Sequence, residues 1–397
     1  MFDKVPQSEL KQRLHALRRR MDQDHPEWQL LAVFSKINQF YLTGTMQDGV
    51  VLIPREGQEI YWVRRSLQRA LDESTFADIR PMHSFRDAAA AMTPLPSTIH
   101  LETEHVPLAV YKRFNKHFGF SQAVSADISI SAVRAVKSSY ELNLIKQSGQ
   151  IHQQILEITL PQLLHEGMSE AELAGQLYPA MIDAGHHAIA RLSMYDTEML
   201  IGLICFGESS IYPTSFDGPG GNFGMSPAVP LLGSRQQKLQ PGDLIFVDIG
   251  CGVDGYHTDK TMTYVYKGQL PDYAIAIHNH CVQIQNDTAA LLKPGAIPSQ
   301  IYATITDKFD DDFKVNFMGY ADRQTSFLGH GIGLHIDEWP VLAKGFDEPL
   351  QENMVIAIEP KKGLDGIGMV GTENTFIVTP SGGRCITGNH PGLLAVG

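Results

Sequence analysis

The chain has 397 residues, 43% of them hydrophobic and 19% charged, with a formal net charge of −12. That length supports two domains with full cores, and the acidic balance argues against nucleic acid as a partner, because phosphate binding relies on clustered Lys and Arg. No segment approaches the roughly 18 consecutive apolar residues that span a bilayer, and Arg18-Arg19-Arg20 interrupts any signal-peptide core, so a cytoplasmic protein with no membrane partner is expected.

Leu10, Leu14, Leu17 and Met21 recur at helical spacing and predict an opening amphipathic helix. Strand-like runs follow at Leu30–Phe34, Gly49–Pro54 and Glu59–Val63. A boundary is expected near Val133–Lys137, dividing an α/β domain over 1–135 from a second domain over 136–397, because Ser138-Ser139-Tyr140-Glu141 is a capping box that starts a long helix. Cys205, Cys251, Cys281 and Cys385 show no CxxC spacing and read as reduced core residues. Gly218-Pro219-Gly220-Gly221-Asn222 matches no phosphate-loop pattern and reads as a loop.

The second domain carries the chemistry. Leu244–Gly250 and Tyr256–Tyr266 read as strands joined through the hairpin dipeptide Asp254-Gly255. Counting outward from that turn pairs Val253 with Tyr256 and Asp248 with Thr261. Asp259 lies two residues from Thr261 on the same face, so Asp248 and Asp259 are expected as diagonal neighbours. In Gly329-His330-Gly331-Ile332-Gly333, small residues permit close backbone approach and leave the imidazole as the long side chain. Glu359 ends Met354–Ile358, a run apolar on both faces that predicts a strand buried on both sides. Glu373 sits in a strand candidate over Val370–Val378 that ends at the turn Pro380-Ser381-Gly382-Gly383.

Asp, Asp, His, Glu and Glu on the frames VDIG (Asp248), HTDKTMT (Asp259), GHGIGL (His330), AIEP (Glu359) and GTENT (Glu373) resemble the pita-bread metallopeptidases, the family of methionine aminopeptidase, aminopeptidase P and prolidase. The resemblance implies a mixed α/β (α+β) chain: a creatinase/prolidase-type N-terminal domain followed by a pita-bread catalytic domain, assembled as a homodimer. It further implies that these five residues bind two divalent metal ions, that a bridging hydroxide attacks short peptides, most typically Xaa-Pro peptides, and that Glu359 moves the proton. Four carboxylates in one pocket would raise one another's pKa unless cations neutralised them, and oxygen ligands with a single imidazole suit Mn, Co, Zn or Fe.

Departures from the family pattern define further candidates. A substrate-contacting histidine is replaced by Thr214 beside Tyr212, a second by Asp337 with His335 two positions away, and an arginine two residues before the last glutamate by Gly371. Thr214 can still donate a hydrogen bond, whereas an ionised Asp337 only accepts one. Three readings follow: an Xaa-Pro peptidase with substrate contacts rearranged around Tyr212, Thr214, His335 and Asp337; a non-peptidase metal enzyme using Asp337 as base on a small charged substrate; or a catalytically reduced binding protein. Phe216-Asp217 and Tyr195-Asp196 are lesser candidates for the pocket wall, and His186-His187 is expected to be structural.

Overall fold

The computed structural model describes residues 3–92, 94–388 and 390–397, and the chain separates into two compact units, Met1–Arg134 and Ala135–Gly397. In the first unit, strands β1 (Leu30–Val33), β2 (Gly49–Pro54), β3 (Ile60–Val63), β4 (Ile79–Pro81), β5 (Thr98–Leu101) and β6 (Gln122–Ser125) form one mixed sheet in the order β4-β3-β2-β1-β5-β6. Leu30, Ala32, Val50, Leu52 and Trp62 bury one face against Phe114 and Phe118. The opening helix, Gln7–Asp24, buries Leu10, Leu14, Leu17 and Met21, the stripe predicted from their spacing.

In the second unit, β7 (Gly202–Phe206), β8 (Leu244–Val253) and β9 (Tyr256–Tyr266) run antiparallel. After the short hairpin β10 (Gly319–Tyr320) and β11 (Arg323–Gln324) come β12 (Phe327–Gly331), β13 (Glu338–Ala343), β14 (Val355–Ile358), β15 (Lys361–Leu364), β16 (Gly368–Gly371), β17 (Asn374–Thr379), β18 (Gly382–Cys385) and β19 (Leu394–Val396). One sheet has the order β19-β9-β8-β7, the other β13-β12-β14-β17-β18, and β15 pairs with β16 alone. A bridge between Thr261 and Glu373 ties the two large sheets together.

Strand alternation assigns the faces. On β8 and β9, Ile245, Val247, Ile249, Cys251, Met262 and Tyr264 pack with Leu173 and Leu177 of the Glu170–Asp183 helix and with Ile155 and Leu156. On β14 and β17, Ile356, Ile358, Phe376 and Val378 pack with Cys281 and Ile284 of the Asp272–Leu291 helix. The remaining residues of each strand, Asp248 and Asp259 on one sheet and Ala357 and Thr375 on the other, therefore lie on the faces away from these helices. Cys251 is thus a core residue whose thiol burial pushes up to about 12.

The long helix begins where expected. Ser138 Oγ accepts from Glu141 N at 3.2 Å, and Glu141 Oε2 accepts from Ser138 N at 2.8 Å. Glu141 Oε1 also accepts from the Tyr256 hydroxyl at 2.9 Å, which fixes the hairpin to the helix start. The predicted strand over Val370–Val378 is instead two strands, β16 and β17, broken at Thr372-Glu373. The break occurs because Glu373 leaves one ladder to bridge Thr261 of the other sheet. Among the described residues, no helix is long and apolar enough to cross a membrane. Replacing the cap, Ser138→Ala, should lower stability by about 1 kcal/mol, read as a shift of the denaturant midpoint with an unchanged slope.

Candidate metal centre

The hairpin register is the one counted from the sequence: Val253 pairs with Tyr256, Asp248 with Thr261 and Gly250 with Asp259. Both aspartates therefore leave the same face. Thr261 Oγ1 lies 2.8 Å from Asp248 Oδ1 and 2.9 Å from Glu373 Oε2, so one hydroxyl sits between carboxylates of both sheets and donates its single proton to one of them at a time. Asp259 is fixed through its backbone, its N donating to Thr375 Oγ1 at 2.9 Å and its O accepting from that hydroxyl at 2.8 Å.

His330 is part of strand β12 rather than of a free turn. It pairs with Ala357, which puts it on the face of Glu359 two residues further on. Gly329 makes the pairing possible, since a Cβ there would meet Ala357 O at 2.1 Å. The ring's Nδ1 lies 3.0 Å from Gly331 O, and Nε2 faces Glu359 Oε1 at 3.2 Å and Glu373 Oε1 at 3.9 Å.

A residue that the sequence reading passed over completes the cluster. Lys361, wholly buried, donates from Nζ to Asp248 Oδ2 at 2.9 Å, Glu359 Oε2 at 3.0 Å and Glu373 Oε2 at 2.7 Å. The available signal was an ionisable residue two positions after Glu359 and, in a hairpin register, opposite the unexpected Gly371.

Electrostatics express the crowding. Burial and the Asp248 carboxylate raise Asp259 to about 8. Burial together with Asp259 and Glu359 puts Glu373 well above the usual carboxylate range. Burial opposes a charged His330, but Glu359, Glu373 and Asp259 outweigh it and raise the ring to about 10. Burial would also raise Glu359, yet Lys361 and His330 hold it below its ordinary value.

Asp259, His330 and Glu373 each offer a ligand atom within 4.8 Å of the others. Glu373 Oε1 is buried and accepts no hydrogen bond from any described residue, a costly state that a cation would relieve. The donor set fits one divalent ion at these three residues. Asp248 is differently placed, because Thr261 and Lys361 already serve both of its oxygens.

The cluster floors a cavity of about 530 Å³ with apolar walls that include Leu192, Leu203, Phe216, Phe327, Trp339 and Val341. Asp217 and Asp337 also line it, and among the described residues His330 is the only lining one that can carry positive charge. Asp337 is largely committed elsewhere: Oδ1 accepts from Ser193 N at 2.5 Å, and Oδ2 from Ser193 Oγ at 2.8 Å and Met194 N at 3.2 Å. Tyr212 and Thr214 do not line this cavity; they border a separate cleft with Phe223 and Met225. His335 is buried and absent from the cavity wall, its backbone N donating to Glu338 Oε1 at 2.9 Å. Tyr195 is 90% exposed and also lies off the wall. His186 and His187 accept from Gly252 N and Gly255 N at 2.9 and 3.0 Å, which makes them supports of the hairpin turn.

Residues 143–380 match the model of metallopeptidase family M24, and residues 13–136 match that of the creatinase/prolidase N-terminal domain. The chain belongs to metallopeptidase family M24. It is 23% identical to the Xaa-Pro dipeptidase of Pyrococcus furiosus over 388 residues, covering 97% of this chain and 100% of the relative. A second Xaa-Pro dipeptidase, from Pyrococcus horikoshii, is 24% identical over 90% of this chain and 92% of its own. Among solved structures, the prolidase from Pyrococcus horikoshii superposes with a TM-score of 0.76 at 21% identity over 96% of this chain and 99% of that one. A dipeptidase from Mycobacterium ulcerans gives 0.80 at 21% identity over 99% and 100%. These likenesses establish the pita-bread fold with its N-terminal domain, in a metalloenzyme family whose members hold divalent ions.

The pKa directions set a pH dependence for the metal-free protein. Asp259 (3.8 raised to about 8) and His330 (6.5 raised to about 10) both bind protons more tightly when folded, so their stabilisation is complete at low pH and is lost as pH rises. The buried His187 and His257, both held at about 3, act in the opposite sense, but only below their ordinary value of 6.5. Lys36, Lys260 and Lys362, held below the usual lysine value by burial, act in the opposite sense within the window from pH 6.5 to 10, with or without metal. Over that window the Tm of chelator-treated protein should therefore fall relative to that of protein saturated with a divalent ion. A gap between the two that stays constant or narrows as pH rises would contradict the assignment.

Proposed function

We propose that this protein is a metal-dependent peptidase that cleaves short peptides near the amino terminus, with Xaa-Pro peptides as the leading substrate class. The carrying observation is the meeting of Asp259, His330 and Glu373, whose Oε1 accepts no hydrogen bond from a described residue, on the floor of an apolar-walled cavity, with Glu359 beside them. A divalent ion held there would polarise the scissile carbonyl and acidify the attacking water. Glu359 is the proton carrier in this reading: the Lys361 ammonium beside it keeps it ionised, ready to accept a proton from water and return it to the leaving amine. Xaa-Pro specificity rests on the names of the relatives, and the apolar wall of Leu203, Phe216, Phe327 and Trp339 suits a proline ring.

The charge of the wall supports cleavage by an aminopeptidase pattern over a dipeptidase one. Asp217 is exposed at the cavity and suits a substrate ammonium, whereas among the described residues no Lys or Arg lines the cavity to hold a free carboxylate close to the scissile bond. Protein stripped of metal and reloaded with Mn, Co, Zn or Fe should hydrolyse Xaa-Pro peptides of three or more residues, and carboxyl-amidated ones, faster than Xaa-Pro dipeptides. Absence of turnover on the whole panel with metal bound would sink the peptidase reading.

Asp337 is read here as the anchor of the segment at Ser193-Met194, because three donors occupy its oxygens. Asp337→Asn keeps one of the two acceptor oxygens and should lose activity about threefold, while Asp337→Ala, which keeps neither, should lose roughly tenfold by loosening the wall. Equal collapse of both variants with folding intact would mark Asp337 as a proton carrier and favour the non-peptidase reading.

A further inference from the structure

The unexplained group in the site is Lys361. An ammonium has three hydrogens to donate, and all three are directed at carboxylate oxygens: Asp248 Oδ2, Glu359 Oε2 and Glu373 Oε2. Thr261 Oγ1 takes Asp248 Oδ1. What Lys361 and Thr261 leave at the cavity floor is one set of possible ligand atoms, on Asp259, His330 and Glu373, within 4.8 Å of one another, with Glu359 Oε1 3.2 Å from His330 Nε2.

We propose that this chain takes up a single divalent ion, at Asp259, His330 and Glu373, and that the Lys361 ammonium is the built-in second cation of the site. The inference rests on the metalloenzyme reading above and narrows its metal content. An ammonium and a divalent ion cannot both occupy the oxygen faces of Asp248, Glu359 and Glu373 that Lys361 now fills, since each would repel the other at contact distance. Lys361 binds its carboxylates where a second ion would need them, and it leaves untouched the oxygens that the first ion uses.

The backbone is shaped for this arrangement. Lys361 pairs with Gly371 across the β15–β16 hairpin. A Cβ at position 371 would stand 2.4 Å from Pro360 O, 2.7 Å from Lys361 Cα and 3.2 Å from Lys361 Cγ, and Gly371 adopts φ +128°, a conformation that side-chain-bearing residues rarely take. The glycine that replaces the expected arginine and the lysine opposite it are therefore one structural feature. Absence of a side chain at 371 leaves room for the stem of the lysine at 361.

The test is manganese stoichiometry on the full-length protein. Chelator-stripped wild type, reloaded with Mn²⁺ and dialysed, should hold one Mn²⁺ per chain and show the six-line paramagnetic resonance spectrum of an isolated ion. Lys361→Ala and Lys361→Met should hold two, with the broadened spectrum of a coupled pair. Two coupled ions in the wild type would overturn the proposal while leaving the metalloenzyme reading intact, and would make Lys361 a tether outside a two-ion site. Folded Lys361 variants that still hold only one ion would overturn it as well. Wild type that binds no Mn²⁺ would overturn this inference and the metalloenzyme reading together. Because the wild-type count decides by itself, failure of a variant to fold does not remove the test.

Discussion

Gathering Asp248, Asp259, Glu359 and Glu373 around one point sets the terms for the rest of the catalytic unit. Burial, and after it the neighbouring like charges, drives Asp259 and Glu373 toward protonation. The fold answers with cations and donors brought from different strands: Lys361 from β15, His330 from β12 and the Thr261 hydroxyl from β9. The Thr261–Glu373 bridge is the hinge of this arrangement, because it brings the aspartate sheet and the glutamate sheet within reach of each other.

Rigidity comes from the opposite faces. Ile245, Val247 and Ile249 on one sheet and Ile356, Ile358 and Phe376 on the other are buried against helices, so the site-facing residues between them have fixed direction. A slip of one residue in either ladder would turn the cavity-facing carboxylates into the apolar core. The capping glutamate Glu141 adds a local lock, since it starts the long helix and also holds Tyr256 at the hairpin. His186 and His187 support the same turn from the other side.

Above the charged floor the chemistry changes to selection. The wall is largely apolar, and its exposed carboxylate, Asp217, faces the space where a substrate would enter. Asp337 occupies a position from which it could have acted on substrate, but the Ser193-Met194 segment claims its lone pairs.

The sequence by itself determined the strand that carries Asp248, the hairpin register that places Asp259 beside it, the capping box and the amphipathic first helix. All of these follow from periods and turn chemistry that act within a few residues. It also pointed to His330, Glu359 and Glu373 as chemically unusual, through a glycine-rich frame and carboxylates next to buried apolar runs. Tertiary structure alone decided which of these meet, since the pairing of β12 with β14 and the bridge from Thr261 to Glu373 join residues more than a hundred positions apart or set by long connections. It also moved Tyr212, Thr214 and His335 off the wall, because loop course is not encoded in periodicity. Lys361 is the clearest case: along the chain it is one lysine of a Lys-Lys pair, and only the fold directs its ammonium among three carboxylates while turning Lys362 to the Phe313 carbonyl.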